Sequence, residues 1–186
     1  RRQPSLCPDQ IHPSPTIAPV STTLNADLHC HSVVSDGTLT PEALAQRAQR
    51  SGVQLWALTD HDEISGQHRA SAAAHAHGMD YLTGTEISVT FAGTTVHIVG
   101  LGFDADNAAL TAGLAATRGG RDSRAQAMAQ DLTRVGIHGA YEGALQYVSN
   151  PALISRTHFA RFLVETKVCK DTSEVFRKYL VEGKPG

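Results

Sequence analysis

The chain has 186 residues, 41% of them hydrophobic and 18% charged, with a formal net charge of −2. That length and balance fit one globular domain and exclude a basic nucleic-acid coat or an acidic tail. No apolar run approaches the roughly 18 residues of a spanning helix, and the first residues lack the apolar core of a signal peptide. Cys7, Cys30 and Cys169 are odd in number and scattered, which points to a reducing compartment, the cytoplasm. A local basic cluster could still serve a phosphate-bearing substrate.

Residues 1–23 carry five of the eight prolines and almost no apolar periodicity, so they read as a disordered leader. Residues 24–31 read as a strand ending in His29-Cys30-His31, with Asp36 and the turn residue Gly37 just beyond. Alternate strand side chains share a face, so both imidazoles point one way and Cys30 the other, as a small buried thiol. Two neutral imidazoles with a nearby carboxylate make a divalent-metal site. Thr40-Pro41-Glu42 is a helix start, and Gly52 ends that helix. Residues 53–59 form the next strand, completing a βαβ unit and implying a parallel sheet. A helix over 65–78 follows. Its His75 and His77 share the spacing of the first pair, but positions two apart on a helix do not face each other. They read as surface residues, as do His68 and His138.

A third strand ends at Gly84-Thr85-Glu86. Residues 87–91 and 95–101 form a hairpin about Ala92-Gly93-Thr94. From residue 107 the pattern is helical: a long helix over 108–135 with Arg118, Arg121 and Arg124 as a basic stripe, then helices over 141–148, 156–166 and 172–180. The organisation expected is therefore a leader (1–23), the first part of an α/β barrel (24–106) and a helical insertion (107–186).

Successive strand ends each deliver a polar group: His29, His31 and Asp36, then Asp60-His61-Asp62, then Glu86, then His97. If these ends lie on one face, six ligand-type side chains converge. His97 alone reads as a buried core histidine; within that set it reads as a ligand. Asp60 and Asp62 could orient His61 or cap the following helix. Mixed imidazole and carboxylate donors suit Mn²⁺, Zn²⁺ or Fe²⁺ rather than Ca²⁺. A bridging Glu86 would hold two ions about 3.5–4 Å apart. Ser155-Arg156 at a helix start is a plausible phosphate grip. His158 beside it could face the site or pack in its helix.

These motifs, in this order, resemble those of the polymerase and histidinol phosphatase (PHP) superfamily. Residues 154–161 and 183–185 resemble its branch of nucleoside 3′,5′-bisphosphate phosphatases and ribonuclease AM. The resemblance implies a distorted (β/α) barrel, here partial, with a centre of two or three ions, usually Mn²⁺ with Mg²⁺ among the alternatives. It implies hydrolysis of a nucleotide phosphate ester or trimming of RNA from its 5′ end. His29, His31, Asp36, His61, Glu86 and His97 carry over as metal ligands, with Asp36, His61 and Glu86 catalytic. Ser155, Arg156 and Lys184 carry over as grips for a phosphate that is not cleaved. Members continue past the Gly-Lys-Pro segment to further ligands, so this chain is expected to hold the first part of the set. The other readings are a sugar- or amino-alcohol-phosphate phosphatase and a non-catalytic, metal-stabilised domain.

Overall fold

A computed structural model describes residues 23–181 and 183–186. The expected leader, with Cys7 and His12, lies outside the described residues except for residue 23. Strands β1 (Ala26–Asp27), β2 (Leu55–Leu58), β3 (Asp80–Phe91) and β4 (Thr94–Leu101) form one sheet in that order. β1, β2 and β3 are parallel, and β4 is antiparallel to β3. The result is a mixed α/β half-barrel with helices.

Helix α1 (Pro41–Arg50) starts where Thr40 Oγ1 accepts the Ala43 N–H at 3.2 Å, with Pro41 in the first turn. Helix α2 (Gln67–Ala76) crosses from β2 to β3. Together they bury Ala45, Ala48, Ala70 and Ala74 against Trp56, Leu58 and Met79. Gln67, fully buried, ties the two strand ends together. Its amide donates to the Leu58 and Gly84 carbonyls and accepts from the Gly84 N–H and the Tyr81 hydroxyl.

Two expectations about strands are corrected. The first strand is two residues, so His29 and His31 lie in the loop after it. That loop keeps an extended course because Cys30 exchanges hydrogen bonds with Thr59 at 2.9–3.1 Å. The third strand does not end at Glu86 but runs on to Phe91, straight into the hairpin. Ala92 and Gly93 both take positive φ (50° and 82°), the twist that a two-residue hairpin turn requires.

The helical part begins with α3 (Ala108–Arg118) and α4 (Arg121–Arg134), not one long helix. Gly119 and Gly120 break it, since glycine loses most backbone freedom in a helix. Then come α5 (Ala140–Leu145), a 3₁₀ turn (Pro151–Leu153), α6 (Arg156–Glu165), and α7 (Thr172–Val175), which continues as a π turn over Phe176–Leu180. A second core fills this part, built on Leu132, Phe159, Leu163, Val175 and Leu180.

Candidate metal centre

Four imidazoles surround one carboxylate. Glu86, 6% exposed, places Oε2 at 2.7 Å from His29 Nε2, 3.1 Å from His31 Nε2 and 3.8 Å from His61 Nδ1. Its Oε1 lies 3.4 Å from His97 Nδ1. Asp36 joins through a further group with His31 and His61, all ligand-type atoms falling within 4.8 Å of one another. The structure thus brings together all six residues expected from the strand ends.

Each arrives by its own local route. His61 lies beyond β2, where an isolated parallel bridge sets it beside Glu86. His97 does not come from a strand end at all. It sits mid-strand in antiparallel β4, opposite Ser88, and the register alone turns it to the face carrying Glu86. Asp36 depends on Gly37: a Cβ there would sit 2.0 Å from the His31 carbonyl oxygen, so only glycine lets the loop fold back.

Asp60 and Asp62 do not touch His61. Their carboxylates are turned to other partners. Asp60, 1% exposed, accepts the Ser32 N–H (2.7 Å), the Ser32 hydroxyl (2.6 Å) and the Ser35 hydroxyl (2.6 Å), stapling the loop between His31 and Asp36. Asp62, fully buried at φ 50°, accepts the Ser88 N–H at 2.6 Å and pairs with Arg121.

The electrostatics favour a cation. Burial raises the Glu86 carboxyl, but the His29 hydrogen bond and the His61 and His31 charges outweigh it and hold the pKa below the usual range. Asp36 is lowered in the same way: burial opposes, and His61, a Thr157 hydrogen bond and His31 prevail. Burial depresses His61, which favours the neutral ring a metal needs. Two buried ring nitrogens here, His31 Nδ1 and His61 Nδ1, have no hydrogen-bond partner. One carboxylate cannot satisfy four imidazoles, and the surplus lone pairs are what a divalent ion uses. The donor set therefore fits metal binding.

A cavity of about 550 Å³ opens onto Asp36, His61 and His97 and is lined from the helical part by Arg124, Ser155, Arg156 and Lys184. Arg156 Nη1 also reaches the Leu180 carbonyl at 3.4 Å. Ser155 differs from its expected role as a phosphate grip. Its hydroxyl lies 3.1 Å from both Asp36 Oδ2 and His158 Nδ1, so it is engaged inside the fold beside a candidate ligand. His158 is fully buried and faces its own helix start: its Nδ1 accepts the Ser155 N–H at 3.0 Å. Burial pushes its pKa down to about 4.

Sequence reasoning missed Arg161, whose guanidinium donates to the Asp36 carbonyl, and Ser88. Nothing local marks Arg161; Ser88 could have been found by counting pairs back from the Ala92-Gly93 turn. His75, His77 and His138 are exposed and outside the cluster, and His68 pairs with Asp106 at 3.0 Å. Cys30 packs away from it, its thiol pushed up to about 12 by burial.

The family model described as the PHP domain matches residues 27–141, and the chain belongs to that family. It is 51% identical over 162 residues to a 3′,5′-nucleoside bisphosphate phosphatase of Chromobacterium violaceum, covering 87% of this chain and 57% of that protein. It is 40% identical over 158 residues to a 5′-3′ exoribonuclease of Haemophilus influenzae, covering 85% and 57%. A solved structure described as an amidohydrolase from Chromobacterium violaceum, with bound sulfate and no metal, superposes with a TM-score of 0.83 at 50% identity, covering 87% of this chain and 57% of that one. The chain thus spans a little over half the length of these relatives. Among the described residues, no helix is long and apolar enough to cross a membrane.

Proposed function

We propose that the protein is a metal-dependent phosphoesterase acting on nucleotides, with a nucleoside 3′,5′-bisphosphate or the 5′ end of a short RNA as substrate. The observation that carries the reading is the two-sided Glu86. One oxygen faces His29 and His31, the other faces His97. With donors on both sides of its carboxylate, Glu86 would be placed to serve an ion beside His29 and His31 through one oxygen and an ion beside His97 through the other. Asp36 and His61 supply donors on the remaining side. Mn²⁺ suits this mixed set, with Zn²⁺, Fe²⁺ or Mg²⁺ as alternatives. When bound, such ions polarise phosphoryl oxygens and make hydroxide available near neutral pH.

The chain's own residues do the rest. Asp60 fixes the loop bearing His31 and Asp36, and the Ser155 hydroxyl holds one oxygen of Asp36. The barrel part (24–106) carries the ligands. The helical part (107–186) brings Arg124, Arg156 and Lys184 to the same cavity, where they hold a phosphate that is not cleaved. The relatives named as a bisphosphate phosphatase and an exoribonuclease support that substrate class. The scattered cysteines support a cytoplasmic location.

The test is a phosphate-release screen of the intact, Mn²⁺-loaded protein against nucleoside 3′,5′-bisphosphates, mononucleotides and 5′-phosphorylated RNA. The bisphosphate is expected to be preferred. In Arg156→Ala, the ratio of kcat/KM for bisphosphate to that for monophosphate is expected to fall roughly 30-fold. An unchanged ratio removes Arg156 from substrate recognition. Release from sugar phosphates alone points to the alternative phosphatase.

A further inference from the structure

We infer that Ser88 and Arg121 form a positioning link by which the helical part sets the His97 imidazole. The inference rests on the metal-centre reading above. Arg121 is 8% exposed on α4. Its Nε donates to Asp62 Oδ2 at 3.1 Å, and its Nη2 donates both to that oxygen and to Ser88 Oγ, the latter at 3.1 Å. Ser88 Oγ stands 3.3 Å from His97 Nδ1. The Ser88 N–H donates to the other Asp62 oxygen at 2.6 Å, and the Asp62 N–H donates to the Glu86 carbonyl at 2.9 Å.

Every branch of this network ends on an atom next to a candidate ligand. Asp62 follows His61 in the chain, holds Glu86 by its backbone, and reaches His97 through Ser88. A buried ion pair is a costly way to hold helix against strand, because desolvation offsets most of the attraction. An apolar contact would hold the fold as well. What only the polar pair does is fix the direction of the Ser88 hydroxyl. Arg121 occupies one lone pair of Oγ, so the remaining lone pair can accept from the His97 Nδ1–H, which leaves Nε2 as the ring's free donor. A free serine in a strand samples three rotamers and gives the ring no fixed partner. Polar partners of this kind set ring orientation and tune metal affinity.

The test is Mn²⁺ binding by calorimetry on the intact protein, beside thermal melting of the metal-free form. Ser88→Ala is expected to weaken one class of bound Mn²⁺ by about 10–100-fold while leaving the metal-free melting temperature within about 2 °C of wild type. Ser88→Thr, which keeps the hydroxyl, should restore binding. Arg121→Gln should weaken the same class. Wild-type affinity in Ser88→Ala overturns the link and leaves the metal centre standing. So does a loss of affinity matched by a lowered melting temperature, which marks a merely structural role. Absence of Mn²⁺ binding by the wild type overturns both.

Discussion

Asp60→Ala separates what the ligand loop needs from what the ligands themselves need. The Asp60 carboxylate bonds no candidate ligand side chain, yet three donors converge on its two oxygens from the loop between His31 and Asp36. Truncation leaves the Ser32 N–H, the Ser32 hydroxyl and the Ser35 hydroxyl without their acceptor in a site where Ser32 is fully buried and Ser35 is 3% exposed. Each unsatisfied buried donor costs about 1–3 kcal/mol. The three share one loop and relax together, so the expected total is about 3–5 kcal/mol rather than the full sum. Asp60→Asn keeps one oxygen for the two donors on Oδ1, and the Ser32 hydroxyl can turn to accept from the new amide. It should cost about 1–2 kcal/mol, mainly through the lost charge. Urea unfolding of the metal-free protein reads the stability, and Mn²⁺ calorimetry reads the loop. Affinity should fall about 10–100-fold in Asp60→Ala and less in Asp60→Asn. Refutation is Asp60→Ala within about 1 kcal/mol of wild type, or full destabilisation with undiminished Mn²⁺ affinity. The latter would separate the staple from the centre.

Glu86→Ala removes the carboxylate that faces both imidazole groups and should lower kcat of the intact enzyme by roughly three orders of magnitude or more. Recovery at high Mn²⁺ would deny it a bridging role. His158 is held neutral down to pH about 4 in the fold, against an ordinary value of 6.5. Between those values the unfolded chain binds the extra proton, so stability is complete above pH ~6.5 and is lost, by up to about 3 kcal/mol, as pH falls towards ~4. His158→Gln keeps an acceptor for the Ser155 N–H and should flatten that part of the urea-midpoint profile of the metal-free protein; an unchanged slope assigns it elsewhere. Gly37→Ala drives a Cβ into the His31 carbonyl and should destabilise by about 3 kcal/mol with loss of Mn²⁺ binding. A variant that melts and binds like wild type refutes the close approach.

The six candidate ligands were legible because each is an imidazole or carboxylate within or just beyond a largely apolar strand segment. Helix starts were legible from local chemistry, as at Thr40-Pro41. The route of His97 was only half legible: the hairpin marked its strand as antiparallel, but the exact register that sets it mid-strand opposite Ser88, rather than at a strand end, depends on pairing with β3. The break between α3 and α4 was written in Gly119-Gly120, but the alanine-rich pattern continued across it and masked the stop. The roles of Asp60 and Asp62 depend on contacts 25–59 residues away in sequence, to Ser35, Ser88 and Arg121, and no local pattern encodes those. The commitment of the Ser155 hydroxyl to Asp36 spans 119 residues and was equally invisible.

Hairpin tips are where proteins ordinarily tolerate insertions and deletions. The tip at Ala92-Gly93 is exposed, and β4 is open to solvent over nearly its whole length. Neither fact makes it neutral ground. The pairing of Ser88 with His97 is fixed by counting from that turn. A slip of one residue sets Val96 or Ile98 opposite Ser88 and sends the imidazole to the outer face; a slip of two keeps the face but presents Thr95 or Val99. A one-residue slip thus removes a nitrogen donor from the cluster without altering a single one of its residues. Length changes at this loop that shift the register therefore reach the candidate metal centre, and a sequence comparison that scores only the six candidate ligands would pass such a variant as intact.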